Sequence, residues 1–386
     1  MMDSEIEPSG GRLMPEPTVS ARNHALDNLR AVVVFLVVAL HGFITYMEFA
    51  PPWWYVLDSN RSILFTCMVL LIDVPIMQIM FFLAGYFVWP SLVKRGPTLF
   101  FRDKIRRIGI PWAFGVLILA PPTAYIIYYS RQVPMSLWTF WQTDFWGKAY
   151  QQSVYWYLGV LLTLFAVTAI LFSVSRRFAA CPPGVRRPAW WQHALFILLL
   201  STASTMIATR CELDLWSNNY LFAYQPVRIP NYIGYFALGI FACRSGWFTD
   251  AGFQPRLRLW TPLWILSGLA YLMWRMGPQA ATPDIGFKAI AILLFNLFCL
   301  TSLFAMIALF RQHIAGNGRF WRYLARNSYG TYYLHPLILY PLALVFVPWP
   351  LSIFLKAAIL IMVSYGISLM VSDLVLTRLP WLKRIF

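Results

Sequence analysis

Apolar residues in this chain gather in long blocks separated by short polar connections. A sliding window of about 19 residues marks ten such blocks. They lie near positions 29–47, 63–89, 110–129, 154–174, 193–209, 229–242, 259–274, 287–310, 329–347 and 352–376. A helix needs ~17–25 residues, most of them apolar, to cross the hydrocarbon core of a bilayer. The pattern therefore predicts an all-α fold, a polytopic transmembrane bundle of about ten helices. The sixth and seventh blocks are the shortest, and the sixth is expected to extend upstream through the Pro226 region. Between the third and fourth blocks, Leu137-Trp138-Thr139-Phe140-Trp141 and Phe145-Trp146 suit a helix lying in the membrane interface. No internal repeat is visible, which weighs against an inverted-repeat transporter.

Composition agrees with the blocks. Of 386 residues, 59% are hydrophobic and only 12% charged, against about a quarter charged in soluble domains. One soluble core of this size could not hide so much apolar surface, whereas a bilayer accepts it as exterior. The net charge of +16 would suggest nucleic acid in a soluble protein. Here the basic residues fall in alternate connections. With the N-terminus in the cytoplasm, 23 of the 31 Lys and Arg lie on the cytoplasmic side. This is the positive-inside asymmetry, so both termini are expected in the cytoplasm, the protein in the inner (plasma) membrane, and nucleic acid is not a partner. The five cysteines show no metal or disulfide spacing. Residues 1–24 are polar, with no apolar stretch before them. They are expected to form a disordered cytoplasmic tail without a cleavable signal, ahead of one membrane domain over 25–386.

Ionisable groups inside a bilayer are costly and need a reason. His41 lies near the middle of the first block, and Arg30 lies eleven residues earlier at its cytoplasmic end. Eleven residues are close to three helical turns and a rise of roughly 16 Å, so the two share one face. Asp27 is one turn before Arg30 and can pair with it. An imidazole at mid-membrane suits a general base acting on an acceptor hydroxyl; the alternative is a packing histidine bonded to a backbone carbonyl. Asp73, in the second block, could orient His41 or pair with an arginine. The connection before the third block holds Lys94, Arg95, Arg102, Lys104, Arg106 and Arg107. Such a cluster can grip phosphates, although on charge alone the attraction of a positive-inside loop to anionic lipid is the better account. His335 is a second intramembrane imidazole, suited to packing or to support of the site. Two lone histidines are poor ground for haem, and no permanently bound cofactor or metal is expected.

Several motifs resemble the integral membrane acyltransferase-3 family, and within it the glucan biosynthesis C type, which O-succinylates osmoregulated periplasmic glucans. Arg30 and His41 keep the family's Arg-x10-His spacing, with Leu26-Asp27 just before. Met80-Phe81-Phe82-Leu83-Ala84-Gly85-Tyr86-Phe87 resembles its phenylalanine-rich Gly-Tyr element. Arg106-Arg107-Ile108-Gly109-Ile110-Pro111-Trp112 resembles its basic stretch. Tyr155-Trp156-Tyr157-Leu158 and Asn327-Ser328-Tyr329-Gly330-Thr331-Tyr332-Tyr333-Leu334-His335 resemble two later elements. The likeness covers about 23–386. One departure is that Gln152, Val154 and Tyr155 stand where the family often has a His before the Trp.

The resemblance implies a transferase with cytosolic acyl-CoA as co-substrate, moving acetyl or succinyl to a hydroxyl of a glycan or similar outward-facing acceptor. His41 would be catalytic, with Arg30 and Asp73 positioning it. Arg102, Lys104, Arg106 and Arg107 would handle the acyl donor. Asp27, Trp156, Tyr157, Tyr332 and His335 would face the acceptor or support the site. The alternative is a proton-coupled transporter relaying protons through His41 and Asp73.

Overall fold

The computed structural model describes residues 23–179 and 184–386. The expected tail over 1–24 lies outside them, save Asn23 and His24. Asn23 caps the first helix and His24 opens it.

Every apolar block folds as a helix. In chain order these are α1 (His24–Ile44), α2 (Ile63–Arg95), α3 (Pro97–Ser130), the short α4 (Leu137–Thr143), α5 (Trp156–Val174), α6 (Trp190–Ala208), α7 (Ile229–Arg244), α8 (Leu257–Arg275), α9 (Ile285–His313), α10 (Arg319–Phe346) and α11 (Ile353–Val371). Among the described residues, seven are long and apolar enough to cross a membrane: α1, α2, α3, α5 (counted from Ser153), α6, α9 and α11 (counted to Leu376). The other three long helices, α7, α8 and α10, are too short or too polar by that measure. A 3₁₀ turn at Pro226–Arg228 extends α7 upstream, as expected. Helix α4 exposes Trp138 and buries Phe140, the two-faced arrangement of an interfacial helix.

Two features depart from the sequence reading. A β-hairpin, β1 (Ser217–Asn219) and β2 (Phe222–Tyr224), pairs Ser217 with Tyr224 and Asn219 with Phe222, so the fold is not purely α. Three residues per strand are too few to show alternation. The basic connection is also helical. Gly96, at φ 72°, ends α2, and Pro97 starts α3 at once, the usual division of labour between these two residues. Arg102 to Arg107 are therefore on helical turns, the last of them a π-helical turn over Ile105–Gly109.

Helix α1 is enclosed by α2, α9, α10 and α11. Helices α2 and α7 pack backbone to backbone. A Cβ on Gly85 would overlap the Phe236 carbonyl, and one on Gly239 would overlap the Phe82 carbonyl. Small residues facing each other let two backbones approach this closely. The Phe-Phe-x-x-Gly-Tyr element is thus the packing seam of the bundle.

Hydrogen bonds between distant connections gather at the two ends of the bundle. At the end where α1 finishes, Arg131 donates to the carbonyls of Pro52 and Trp54, at 2.8 and 2.7 Å. There too Tyr150 donates to Tyr220 O at 2.7 Å. At the end where α1 begins, Asn28 donates to Ile314 O at 2.8 Å, and Tyr329 to Arg107 O at 2.8 Å.

Candidate functional site

A cavity of about 1410 Å³ fills the half of the bundle where α1 finishes. Its walls come from the C-terminal half of α1, the N-terminal half of α2, residues 148–156, the β-hairpin region and Tyr340 of α10. Rim residues Trp53, Lys148 and Glu212 are exposed. The lining includes the aromatic rings of Trp54, Trp156 and Tyr232, the amides of Gln152 and Gln225, and the carboxylates of Asp73 and Asp214.

His41 stands at the inner end of this cavity, half-buried. Its Nδ1 is 2.7 Å from the Val37 carbonyl. A carbonyl only accepts, so Nδ1 carries the proton and Nε2 presents a lone pair. The same logic holds beside it. Pro336 has no N–H, which leaves the Tyr332 carbonyl one turn earlier without its helical donor. His335 Nδ1 sits 2.7 Å from that oxygen and fills the role, again leaving Nε2 bare. The two imidazole rings lie 5.0 Å apart edge to face. Trp54 stacks on His41 at 5.6 Å.

Asp73 lines the same cavity but not as the partner of His41. Its carboxylate meets Arg228 at 2.8 Å. Arg228 also approaches Asp214 at 3.8 Å, and Asp214 meets Arg275 at 2.6 Å. Two arginines and two carboxylates thus form a neutral chain along one wall. Asp73 sits toward the start of α2, near the same end as the Pro226 turn, where Arg228 can reach it. The Val37 carbonyl, not a carboxylate, orients His41.

The remaining predicted residues separate into two places. Trp156 lines the cavity and packs on Trp216 and Tyr232. Beyond the histidines, toward the start of α1, tyrosines tie the helices together through backbone carbonyls. Tyr157 donates to Met80 O at 3.3 Å, Tyr333 to Pro111 O at 3.0 Å, and Tyr332 to Val154 O. Arg30 lies past this layer, outside the cavity. It reaches Asp27 at 3.6 Å and the Ala325 carbonyl at 3.4 Å, and its Nε is buried without a partner among the described residues. Arg30 and His41 thus share a helix face, but only His41 lines the cavity. On α3, Arg102, Arg106 and Arg107 are exposed. Arg107 and Arg95 share Asp103, at 3.2 and 3.0 Å. Lys104 turns inward over the Phe100 and Phe165 rings, at 5.3 and 4.9 Å, a cation–π arrangement that leaves it little reach for phosphate.

Sequence reasoning passed over Trp54, Arg228, Tyr340 and Ser153. The run Trp53-Trp54-Tyr55, just after the helix that carries His41, was the available signal for Trp54. A carboxylate inside an apolar block needs a cation, which was the signal for Arg228. Ser153 has a left-handed backbone, φ 47°, on the cavity wall. That conformation is costly for a residue with a Cβ and collects at functional sites.

Comparison with known proteins agrees with this architecture. The acyltransferase-3 family model, described as an acyltransferase domain, matches residues 23–373. Among curated proteins, the chain is similar to glucans biosynthesis protein C of Salmonella schwarzengrund, 23% identical over 278 residues, or 69% of this chain and 62% of that protein. It is also similar to the protein of the same name from Escherichia coli, 23% identical over 165 residues, or 42% of this chain and 41% of that one. The chain thus spans about three-fifths of the length of the first of these relatives. No solved structure matches it. With the family model covering all but the ends of a bundle of apolar helices, the chain belongs to the acyltransferase-3 family of multi-pass membrane proteins.

Proposed function

We propose that this protein is a membrane-embedded O-acyltransferase that moves an acetyl or succinyl group from cytosolic acyl-CoA to a hydroxyl of an extracytoplasmic glycan. The observation that carries this reading is His41: an imidazole at the inner end of a large polar and aromatic cavity, its Nδ1 held by Val37 and its Nε2 bare. A bare Nε2 takes the proton of the acceptor hydroxyl as that oxygen attacks the thioester carbonyl, and returns it to the departing thiolate. In this reading ten helices cross the inner membrane with both ends in the cytoplasm. The clustering of connections at two ends and the excess of basic residues on one of them support it.

The cavity then faces outward and receives the acceptor. Aromatic rings beside planar amide and carboxylate groups are the surface that sugar rings bind, which accords with the name glucans biosynthesis protein C carried by the relatives. The donor arrives from the other end, past Arg30 and the exposed guanidiniums of Arg102, Arg106 and Arg107. A proton relay through Asp73 has less support, because Arg228 occupies that carboxylate. The test is His41→Ala in purified protein with labelled acyl-CoA and an oligosaccharide acceptor. Transfer is expected to fall at least about 10²-fold, the usual contribution of a general base; undiminished transfer would remove the mechanism.

A further inference from the structure

We propose that the Tyr340 hydroxyl and the Trp54 indole N–H are the two donors that hold the carbonyl oxygen of the acyl group during transfer. This rests on the acyl-transfer reading above and assigns a part of the reaction that His41 cannot perform.

Tyr340 is 0% and Trp54 5% exposed. Neither Tyr340 Oη nor Trp54 Nε1 has a hydrogen-bond partner among the described residues. A buried polar group left unpaired costs about 1–3 kcal/mol, and folded proteins keep few of them without a reason. The contrast with their neighbours is sharp. Tyr155, Tyr157, Tyr332 and Tyr333 each donate to a backbone carbonyl. Tyr340, on the cavity side of the histidines, does not; the Tyr46 and Tyr235 hydroxyls are unpaired among the described residues as well, but neither residue lines this cavity.

Both unpaired groups belong to residues that line the cavity beside His41. The rings form a triangle: His41 to Trp54 5.6 Å, His41 to Tyr340 6.5 Å, and Trp54 to Tyr340 5.7 Å. Their chemistry selects the ligand atom. Indole N–H is a donor only, and a tyrosine hydroxyl beside it can donate as well. Two donors without an acceptor await an acceptor atom, which a thioester carbonyl oxygen is. The bare Nε2 of His41 is the complementary group, ready for the hydroxyl proton.

The placement is built rather than incidental. Tyr340 stacks on Tyr55 at 3.8 Å. Arg131 holds the Trp54 carbonyl at 2.7 Å. The loop that carries Trp54 is pinned by a fully buried ion pair, Lys356 to Asp58 at 2.9 Å. Donors fixed before the reaction stabilise charge without reorganising when it develops.

The step balances as follows. His41 Nε2 takes the acceptor hydroxyl proton, and the oxygen bonds to the thioester carbonyl carbon. The C=O π pair moves onto the carbonyl oxygen, where Tyr340 and Trp54 donate to it. The pair then re-forms C=O, the C–S bond breaks, and the thiolate takes the proton from His41. An ester and a free thiol result.

The experiment compares wild type, His41→Ala, Tyr340→Phe and Trp54→Phe with labelled acyl-CoA and the oligosaccharide acceptor, together with thermal unfolding. Tyr340→Phe removes one atom from a buried ring, so the thermal midpoint is expected to hold or rise while kcat falls about 10²-fold, the usual cost of one such donor. KM for both substrates is expected to stay near wild type, and Trp54→Phe to lower kcat in the same way. Wild-type kcat in Tyr340→Phe, or a lowered midpoint with kcat intact and KM raised, overturns the donor assignment. If wild type transfers, His41→Ala does not and Tyr340→Phe does, only the donors fall. If wild type itself transfers nothing, the acyltransferase reading falls and takes the donors with it.

Discussion

At the scale of single residues, two prolines explain why particular side chains stand where they do. Pro336 frees the Tyr332 carbonyl, and His335 answers it; Pro111 frees the Arg107 carbonyl, and the Tyr329 hydroxyl answers it at 2.8 Å. Each unpaired carbonyl fixes the orientation of a side chain that lies far from it in sequence or one turn away. The buried ion pair of Lys356 and Asp58 is the most exacting case. Lys356 Nζ reaches Asp58 at 2.9 Å and the Val347 carbonyl at 2.8 Å. Lys356→Met alone strands the Asp58 charge and is expected to cost about 3–5 kcal/mol. Adding Asp58→Leu removes the stranded charge and should recover much of that loss. Thermal unfolding in detergent checks both, and a single variant no less stable than the double one would contradict the argument.

At the scale of elements, the seam between α2 and α7 holds the bundle together where the phenylalanine-rich motif lies. Gly85 and Gly239 are required because each faces the other helix's backbone, not a movable side chain. Gly85→Ala is therefore expected to force the helices apart, with a cost of about 1–3 kcal/mol or more and a smaller folded fraction in size-exclusion chromatography. Gly366, which meets nothing within 4 Å, is the control, and Gly366→Ala should leave that fraction unchanged. Arg131 plays the corresponding part for the loop after α1, where it ties the carbonyls of Pro52 and Trp54 to the end of α3. Arg131→Met should loosen that loop and lower kcat through Trp54. Limited proteolysis between α1 and α2 is its readout, and an unchanged cleavage rate would count against the clamp.

At the scale of the whole molecule, the two ends of the bundle differ in kind. One holds a roomy aromatic cavity; the other holds exposed basic side chains on α3. Between them lies the layer of imidazoles and tyrosines where donor and acceptor would meet. The sidedness is testable in a cysteine-free background. Gln279→Cys, on the cavity end, should react with a membrane-impermeant maleimide from outside the cell. Gly316→Cys, on the basic end and free of close neighbours, should react only in inverted vesicles. The reverse pattern would invert the topology and the direction of transfer.

Much of this was legible in the sequence. Block length and apolarity determine where helices form, because a helix is the local way to satisfy the backbone in lipid. The expense of an ion in hydrocarbon singles out His41, Arg30 and Asp73. What the sequence could not decide is partnership. Asp73 joins Arg228, Lys356 joins Asp58, and Trp54 and Tyr340 meet over His41, across separations of up to 299 positions. These pairs come from how the helices lean and cross, a property of packed volumes that no local pattern records. One face of α1 carries both Arg30 and His41 by periodicity alone. Only the packing of α10 against α1, with Tyr332 reaching the Val154 carbonyl at the start of α5, sets tyrosines beside the histidines and leaves His41 on the cavity wall and Arg30 outside it.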